Sequence, residues 1–268
     1  KETTFKFLQD VVDEMVKIFP SPLFHIGGDE APRSMWKTCP LCQKKIQELG
    51  LKDEPNSPKE AKLQSYVVGR MEKYLNKYGK SIIGWDEILE GGNLNKTAIV
   101  MSWRGEQGGI AAANAGHRVI MTPSSAGMYV DFYQGDPLIE PQAIGGYATL
   151  SNTYSYDPIP KSVAEKGMGN YILGPQVNMW AEYLPDNDRQ DYRLYPRTLA
   201  LAEVGWSQKE NKDFDNFANR VDADASIRLS EHHVNFHNPL KEQPEGSCDY
   251  EAFTDHTTLT FKSKKKKK

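Results

Sequence analysis

Two adjacent carboxylates, Asp29 and Glu30, follow the short apolar run Leu23-Phe24-His25-Ile26 across a pair of glycines, Gly27 and Gly28. Glycines let a backbone turn sharply and let a ligand come close. Neighbouring residues on extended backbone face opposite ways, so the two carboxyl groups can be given different surroundings and different protonation states. One acid kept protonated beside one kept ionised is the requirement of glycosidic-bond hydrolysis. The competing reading is an exposed loop or a helix cap, where an Asp-Glu pair is ordinary.

Four further segments repeat the pattern. Trp85-Asp86-Glu87 ends an apolar run that begins at Ile82, and Ser102-Trp103-Arg104-Gly105 ends another that begins at Ala98. Tyr129-Val130-Asp131 lies beyond Val119-Ile120-Met121, and Asn178-Met179-Trp180-Ala181-Glu182 closes a fourth run. Each strand-like segment finishes in an aromatic with a charged group beside it. In a barrel of parallel strands all C-terminal strand ends meet on one face, where active sites form. Aromatic rings among acids suit sugars: the apolar face of a pyranose stacks on an indole while its hydroxyls bond to carboxylates. Any one of these tryptophans, taken singly, reads better as a buried core residue.

The elements that must position these groups alternate along the chain. Residues 4–19 carry Phe5, Leu8, Val12, Met15 and Phe19 at three- and four-residue spacings, an amphipathic helix stopped by Pro20. After the strand at 23–26, the pattern predicts a helix at 41–49 closed by Gly50. Ser57-Pro58-Lys59-Glu60 reads as a capping box opening a long helix ended by Gly79. Strands are expected at 81–85, 98–103, 118–122 and 172–180, and helices at 106–115, 192–206 and 213–235. Segment 124–170 is rich in Gly, Pro, Ser, Tyr and Asp and has no sustained period; a loop that long inside a domain is usually functional. Strands alternating with helices imply an α/β fold with a parallel sheet and right-handed crossovers. Five strand–helix units amount to about five-eighths of a closed (β/α)8 barrel. We place this partial domain at 1–238. At 239–268 the alternation gives way to β-prone Ala252-Phe253-Thr254 and Thr257-Thr258-Leu259-Thr260-Phe261, the start of a C-terminal β segment, and to a lysine tail.

The 268 residues carry a net charge of −3, and removing the run 264–268 leaves −8 on the remainder. An acidic body argues against nucleic acid as a partner, and no apolar stretch is long enough to insert in a membrane. The lysine run reads as a basic arm or a tag. Three cysteines make no disulfide framework. Cys39 and Cys42 form a C-x-x-C without a second ligand pair, so a structural pair is expected and neither a metal nor a cofactor is called for. His232-His233 is expected to be solvated.

The quoted motifs, in their order and spacing, resemble those of the family 20 glycoside hydrolases, the β-N-acetylhexosaminidases, over about residues 4–238. In that family the Asp-Glu pair follows the fourth strand of a (β/α)8 (TIM) barrel. At position 29 here, it implies a chain that starts near the third helix and holds about strands 4 to 8. The resemblance implies Glu30 as general acid, Asp29 as the ionised partner of the substrate's 2-acetamido group, and Tyr129 as donor to that group's oxygen. It implies Trp85, Trp103 and Trp180 as pocket walls and Asp131 and Glu182 as holders of the outer hydroxyls. His25 would link the surroundings of Glu30 to Glu87 behind the site, or else bond to backbone. The implied substrate is a glycan or chitin oligosaccharide ending in N-acetylhexosamine, and the implied location is the periplasm or outside the cell. Two other readings stand beside this one. Gly27-Gly28-Asp29-Glu30 is also the core of a nucleotide cyclase signature, although Ala31-Pro32 follows and no phosphate-binding glycine loop is present. A fragment with open sheet edges could also act only as a carbohydrate-binding module.

Overall fold

The computed structural model describes residues 1–238; the β segment and lysine tail expected at 239–268 lie outside them. The opening amphipathic period folds as α1 (Glu2–Ile18), which leads into β1 (Leu23–His25). Helices α2 (Ser34–Thr38), α3 (Pro40–Glu48) and α4 (Lys59–Asn76) precede β2 (Ser81–Trp85). Then come β3 (Ile99–Ser102), α5 (Gln107–Asn114), β4 (Arg118–Met121), the short α6 (Leu150–Ser155) and α7 (Lys161–Ala164), and β5 (Ile172–Pro175). The described part closes with α8 (Asn187–Leu194), α9 (Arg197–Trp206), α10 (Phe214–Arg220) and α11 (Ser226–Glu231).

The five strands pair in sequence order, and every pairing is parallel. Registers His25 with Ile83, Trp85 with Met101 and Ser102 with Met121 bring the C-terminal strand ends to one edge of the sheet. Leu75 of α4, Ala112 and Ala113 of α5, and Ile82, Val100, Val119 and Met121 of the strands are fully buried in one core. Each large aliphatic side chain so buried contributes about 1.5–3 kcal/mol. Among the described residues β1 and β5 are each paired on one side only. Leu23 and Phe24 of β1 are accordingly half-buried, and Phe7 and Ile18 on α1 are each 65% exposed.

Several expected elements differ in detail. Ser57 makes no capping box: its hydroxyl donates to the Glu90 carbonyl at 2.8 Å, and the Lys59 amide finds Asp53 instead at 2.9 Å. Glu60, the other half of the expected box, is buried and accepts from Gln43 at 3.1 Å. The last strand stops at Pro175 rather than 180, although the Gln176 amide still donates to the Met121 carbonyl at 2.9 Å. The helix expected at 192–206 is two helices, broken where Pro196 cannot follow a helical residue. The segment at 213–235 is interrupted by a single wide turn, Val221–Ala225. Segment 124–170 is not wholly irregular. Thr149 caps α6 by accepting from the Asn152 amide at 3.1 Å, a signal too local to show as a period.

Candidate active site

The bend after β1 decides where the carboxylates go. Gly27 and Gly28 have φ of 69° and 107°, and Glu30, with a side chain, has φ of 46°. A Cβ on Gly28 would come within 2.6 Å of Ile88, so only glycine serves there. The Trp85 amide donates to the Gly27 carbonyl at 3.0 Å, and Gln64 of α4 donates to the Gly28 carbonyl at 2.8 Å. These bonds hold a left-handed Glu30 at a cost on the order of 1 kcal/mol, a kind of strain that concentrates at functional sites.

Asp29 and Glu30 open on a cavity of about 290 Å3 at the C-terminal ends of the strands. Trp85, Trp103, Tyr129 and Trp180 form its walls, and Asp131 and Glu182 stand on its rim with Phe132 and Ile144. The rings pack on one another: Trp103 lies nearly parallel to Tyr129 with centroids 6.3 Å apart, and Trp180 meets Trp85 at 5.9 Å. The convergence expected from the strand ends is present: Asp29, Trp85, Trp103, Tyr129 and Trp180 all line the cavity, and Glu87 holds the Trp103 indole.

Tyr129 and Asp131 reach the cavity by a device the sequence does not show. They lie well past the end of β4, yet the Val130 amide donates to the Asn178 carbonyl and the Asn178 amide to the Met128 carbonyl, both at 2.8 Å. This added parallel bridge sets Tyr129 beside the strand extension that carries Trp180 and Glu182. Burial raises the Tyr129 phenol above its ordinary value, with hydrogen bonding from Trp180 and Asn178 opposing, so the hydroxyl stays protonated at neutral pH. Asp131 is buried, and neither carboxylate oxygen has a hydrogen-bond partner. Burial raises its pKa, while the nearby backbone amides of Asp131 and Trp180 and then the attraction of Arg197 oppose.

His25 is corrected in its link to Glu87, and the backbone alternative holds. It does not line the cavity and makes no bond to Glu87. Its Nδ1 accepts from the Gly27 amide at 3.1 Å, and its ring packs edge-on against Trp85 at 5.0 Å. The bend comes after His25, so it swings Asp29 and Glu30 inward and leaves the imidazole beside the Trp85 ring. Glu87 does stand behind the site, but it accepts from the Trp103 indole N–H at 3.0 Å. Burial raises its pKa while Trp103 and Arg104 oppose.

A second device, unread in the sequence, is the pair Arg193 and Arg197 at the junction of α8 and α9. Both are fully buried. Arg193 pairs with Glu140 at 2.8 Å, and Arg197 donates to the carbonyls of Ala148 at 2.9 Å, Phe132 at 3.1 Å and Val130. Two cations thus gather the carbonyls of the loop that bears Asp131, Phe132 and Ile144. Arginines four apart on a helix ordinarily mark a solvated face, so no pattern pointed to them. Cys39 and Cys42 sit at the start of α3 as free thiols, and among the described residues no cluster of three or more metal-ligating side chains occurs. No helix among them is long and apolar enough to cross a membrane.

The orphaned Asp131 carboxylate gives a stability prediction. Its folded pKa is raised, so between the ordinary Asp value and the folded value the native state holds more protons than the unfolded chain. Stability therefore falls as pH rises through that window, and the cost is fully present above it. Asp131→Asn should raise Tm at pH 7, with the gain shrinking on acidification toward pH 4. Equal or lower Tm at neutral pH would show that Arg197 already compensates the charge.

The family model described as the glycosyl hydrolase family 20 catalytic domain matches residues 1–209. The chain is 55% identical over 262 residues to a beta-hexosaminidase of Porphyromonas gingivalis, covering 97% of this chain and 32% of that protein. It is 34% identical over 207 residues to a beta-hexosaminidase of Vibrio furnissii, covering 77% of this chain and 33% of that protein. The chain thus spans about a third of the length of these relatives. Among solved structures, the exo beta-N-acetylglucosaminidase of Vibrio harveyi in complex with N-acetylglucosamine superposes with a TM-score of 0.77 at 29% identity, covering 88% of this chain and 36% of that one. A chitobiase of Flavobacterium johnsoniae gives 0.72 at 31%, covering 87% and 33%. With the family model spanning most of its length, this chain belongs to glycosyl hydrolase family 20.

Proposed function

We propose that the chain carries the catalytic centre of a retaining exo-β-N-acetylhexosaminidase, which removes terminal β-linked N-acetylglucosamine or N-acetylgalactosamine by substrate-assisted catalysis. Its five strands would be strands 4 to 8 of a (β/α)8 barrel. The observation that carries this reading is the meeting of Asp29, Glu30 and Tyr129 with three indoles in one small cavity. Aromatic walls with a few convergent polar groups are what a small polar ligand such as a sugar ring requires.

Glu30, protonated, gives its proton to the glycosidic oxygen as the bond to the anomeric carbon breaks. The substrate's acetamido oxygen attacks that carbon from the opposite face, and a cyclic oxazolinium forms. Asp29, ionised, accepts the acetamido N–H and faces the positive charge that grows there. The Tyr129 hydroxyl, held protonated by burial, donates to the acetamido oxygen and aims it for in-line attack. Glu30, now a carboxylate, takes a proton from water as water opens the ring, and two inversions give retention. The unpartnered oxygens of Asp131 accept from sugar hydroxyls, which supplies the donors a buried carboxylate otherwise lacks. Glu182 takes a further hydroxyl, and the indoles cover the sugar face and the acetamido methyl. The substrate would be a glycan or chitin oligosaccharide met in the periplasm or outside the cell.

Proton NMR of a digest of a chitin oligosaccharide tests the proposal. The protein carrying this chain should release single N-acetylglucosamine units from the non-reducing end, each appearing first as the β-anomer. An α-anomer, or cleavage at internal linkages, would overturn it. Saturable binding of an N-acetylglucosamine thiazoline with no turnover would favour the carbohydrate-binding module instead.

A further inference from the structure

The loop that bears Glu30 is tied down on its upstream side by the bonds to Gly27 and Gly28. Downstream, Arg33 reaches away from the cavity and donates to Glu90, just past the turn that follows β2. Glu90 accepts at its other oxygen from Arg104 at 3.0 Å. Arg104 in turn donates through Nε to the buried Asp86 at 2.7 Å and lies 3.7 Å from Glu87, which holds the Trp103 indole. One carboxylate therefore joins the acid's loop to the aromatic wall. Burial alone would raise the pKa of Glu90, but Arg33 and Arg104 outweigh it and hold the group below its ordinary value, so the link stays charged.

We propose that Glu90 is a positioning residue for the general acid: held in place by Arg104, it fixes through Arg33 the placement of Glu30 against the leaving-group oxygen. The proposal rests on the reading of Glu30 as the acid. Glu30 has left-handed backbone on a loop without regular structure, and between it and α2, Arg33 carries the one side-chain hydrogen bond among the described residues. Proton transfer needs the carboxyl within hydrogen-bond reach of the oxygen, so a shift of about 1 Å costs far more than it would for simple contact.

The test is Glu90→Gln in the full protein, which keeps size and removes the charge shared by two arginines. Expected is a fall in kcat of about 30- to 100-fold for an alkyl N-acetyl-β-glucosaminide, a poor leaving group. For the 2,4-dinitrophenyl glycoside the burst of dinitrophenolate, which needs no acid, should slow by less than about threefold, with thiazoline affinity unchanged. Arg33→Gln, at a partly exposed side chain, should reproduce that selectivity, and the double variant should be no worse than either single one. Should Glu90→Gln fail to fold, Arg33→Gln alone decides. Equal losses for the two leaving groups, weakened thiazoline binding, or additive single effects would each overturn the positioning role. Glu30→Gln run alongside separates the two claims: if it lacks leaving-group selectivity, the acid assignment has failed, whereas selectivity there but not at Glu90 refutes the link alone.

Discussion

Glu30→Gln should abolish measurable cleavage of alkyl and sugar N-acetyl-β-hexosaminides, with a loss of about 10²- to 10⁴-fold in kcat. A poor leaving group departs as an alkoxide unless it is protonated in the transition state, and Gln has no proton of the required acidity. With a 2,4-dinitrophenyl leaving group the bond breaks without help, so the first step should survive. The same side chain then acts as base for water, and its loss slows the second step. The expected trace is therefore a burst of dinitrophenolate followed by slow release of the sugar. Geometry makes Glu30 the candidate: it follows the glycine bend, lines the cavity and is exposed to solvent. Equal suppression of burst and steady state in both substrate classes would assign the acid elsewhere.

The strand ends were legible because each apolar run is local and the alternation of strands with helices implies a parallel order. An apolar run followed by Trp85 or Trp103 can only deliver that indole to the sheet's C-terminal edge once the order is parallel. Asp131 was legible by motif, but its burial was not. That depends on the bridge between 128–130 and Asn178 and on Arg197, both contacts across dozens of residues. His25 differs: its chemistry suggested a link to Glu87, but the backbone alternative holds, with Nδ1 accepting from the Gly27 amide where the bend begins. Phe132 and Ile144 went unread because segment 124–170 has no period, and its order comes from buried arginines on another element. The fold followed from local patterning, whereas the rim of the site follows from long-range polar bonds that patterning does not encode.

Asp29→Asn and Tyr129→Phe should each depress turnover far more than binding, by roughly 2–4 kcal/mol in kcat/KM, as preorganised groups do when they act on charge that develops only in the transition state. Asn can still accept from the acetamido N–H, but it cannot offset the positive charge of the oxazolinium. Phe keeps the ring packed between Trp103 and Trp180 and removes only the donor. Because burial holds the phenol above its ordinary pKa, wild-type activity should not be lost through ionisation of Tyr129 at moderately alkaline pH. The decisive substrate replaces the 2-acetamido group by hydroxyl. It should be hydrolysed as poorly by the wild type as the natural substrate is by either variant, and on it both substitutions should cost little further, since the group they serve is gone. Efficient hydrolysis of the plain glucoside, or full additivity of mutation and substrate change, would sink the substrate-assisted mechanism and leave Asp29 to be reconsidered as a nucleophile.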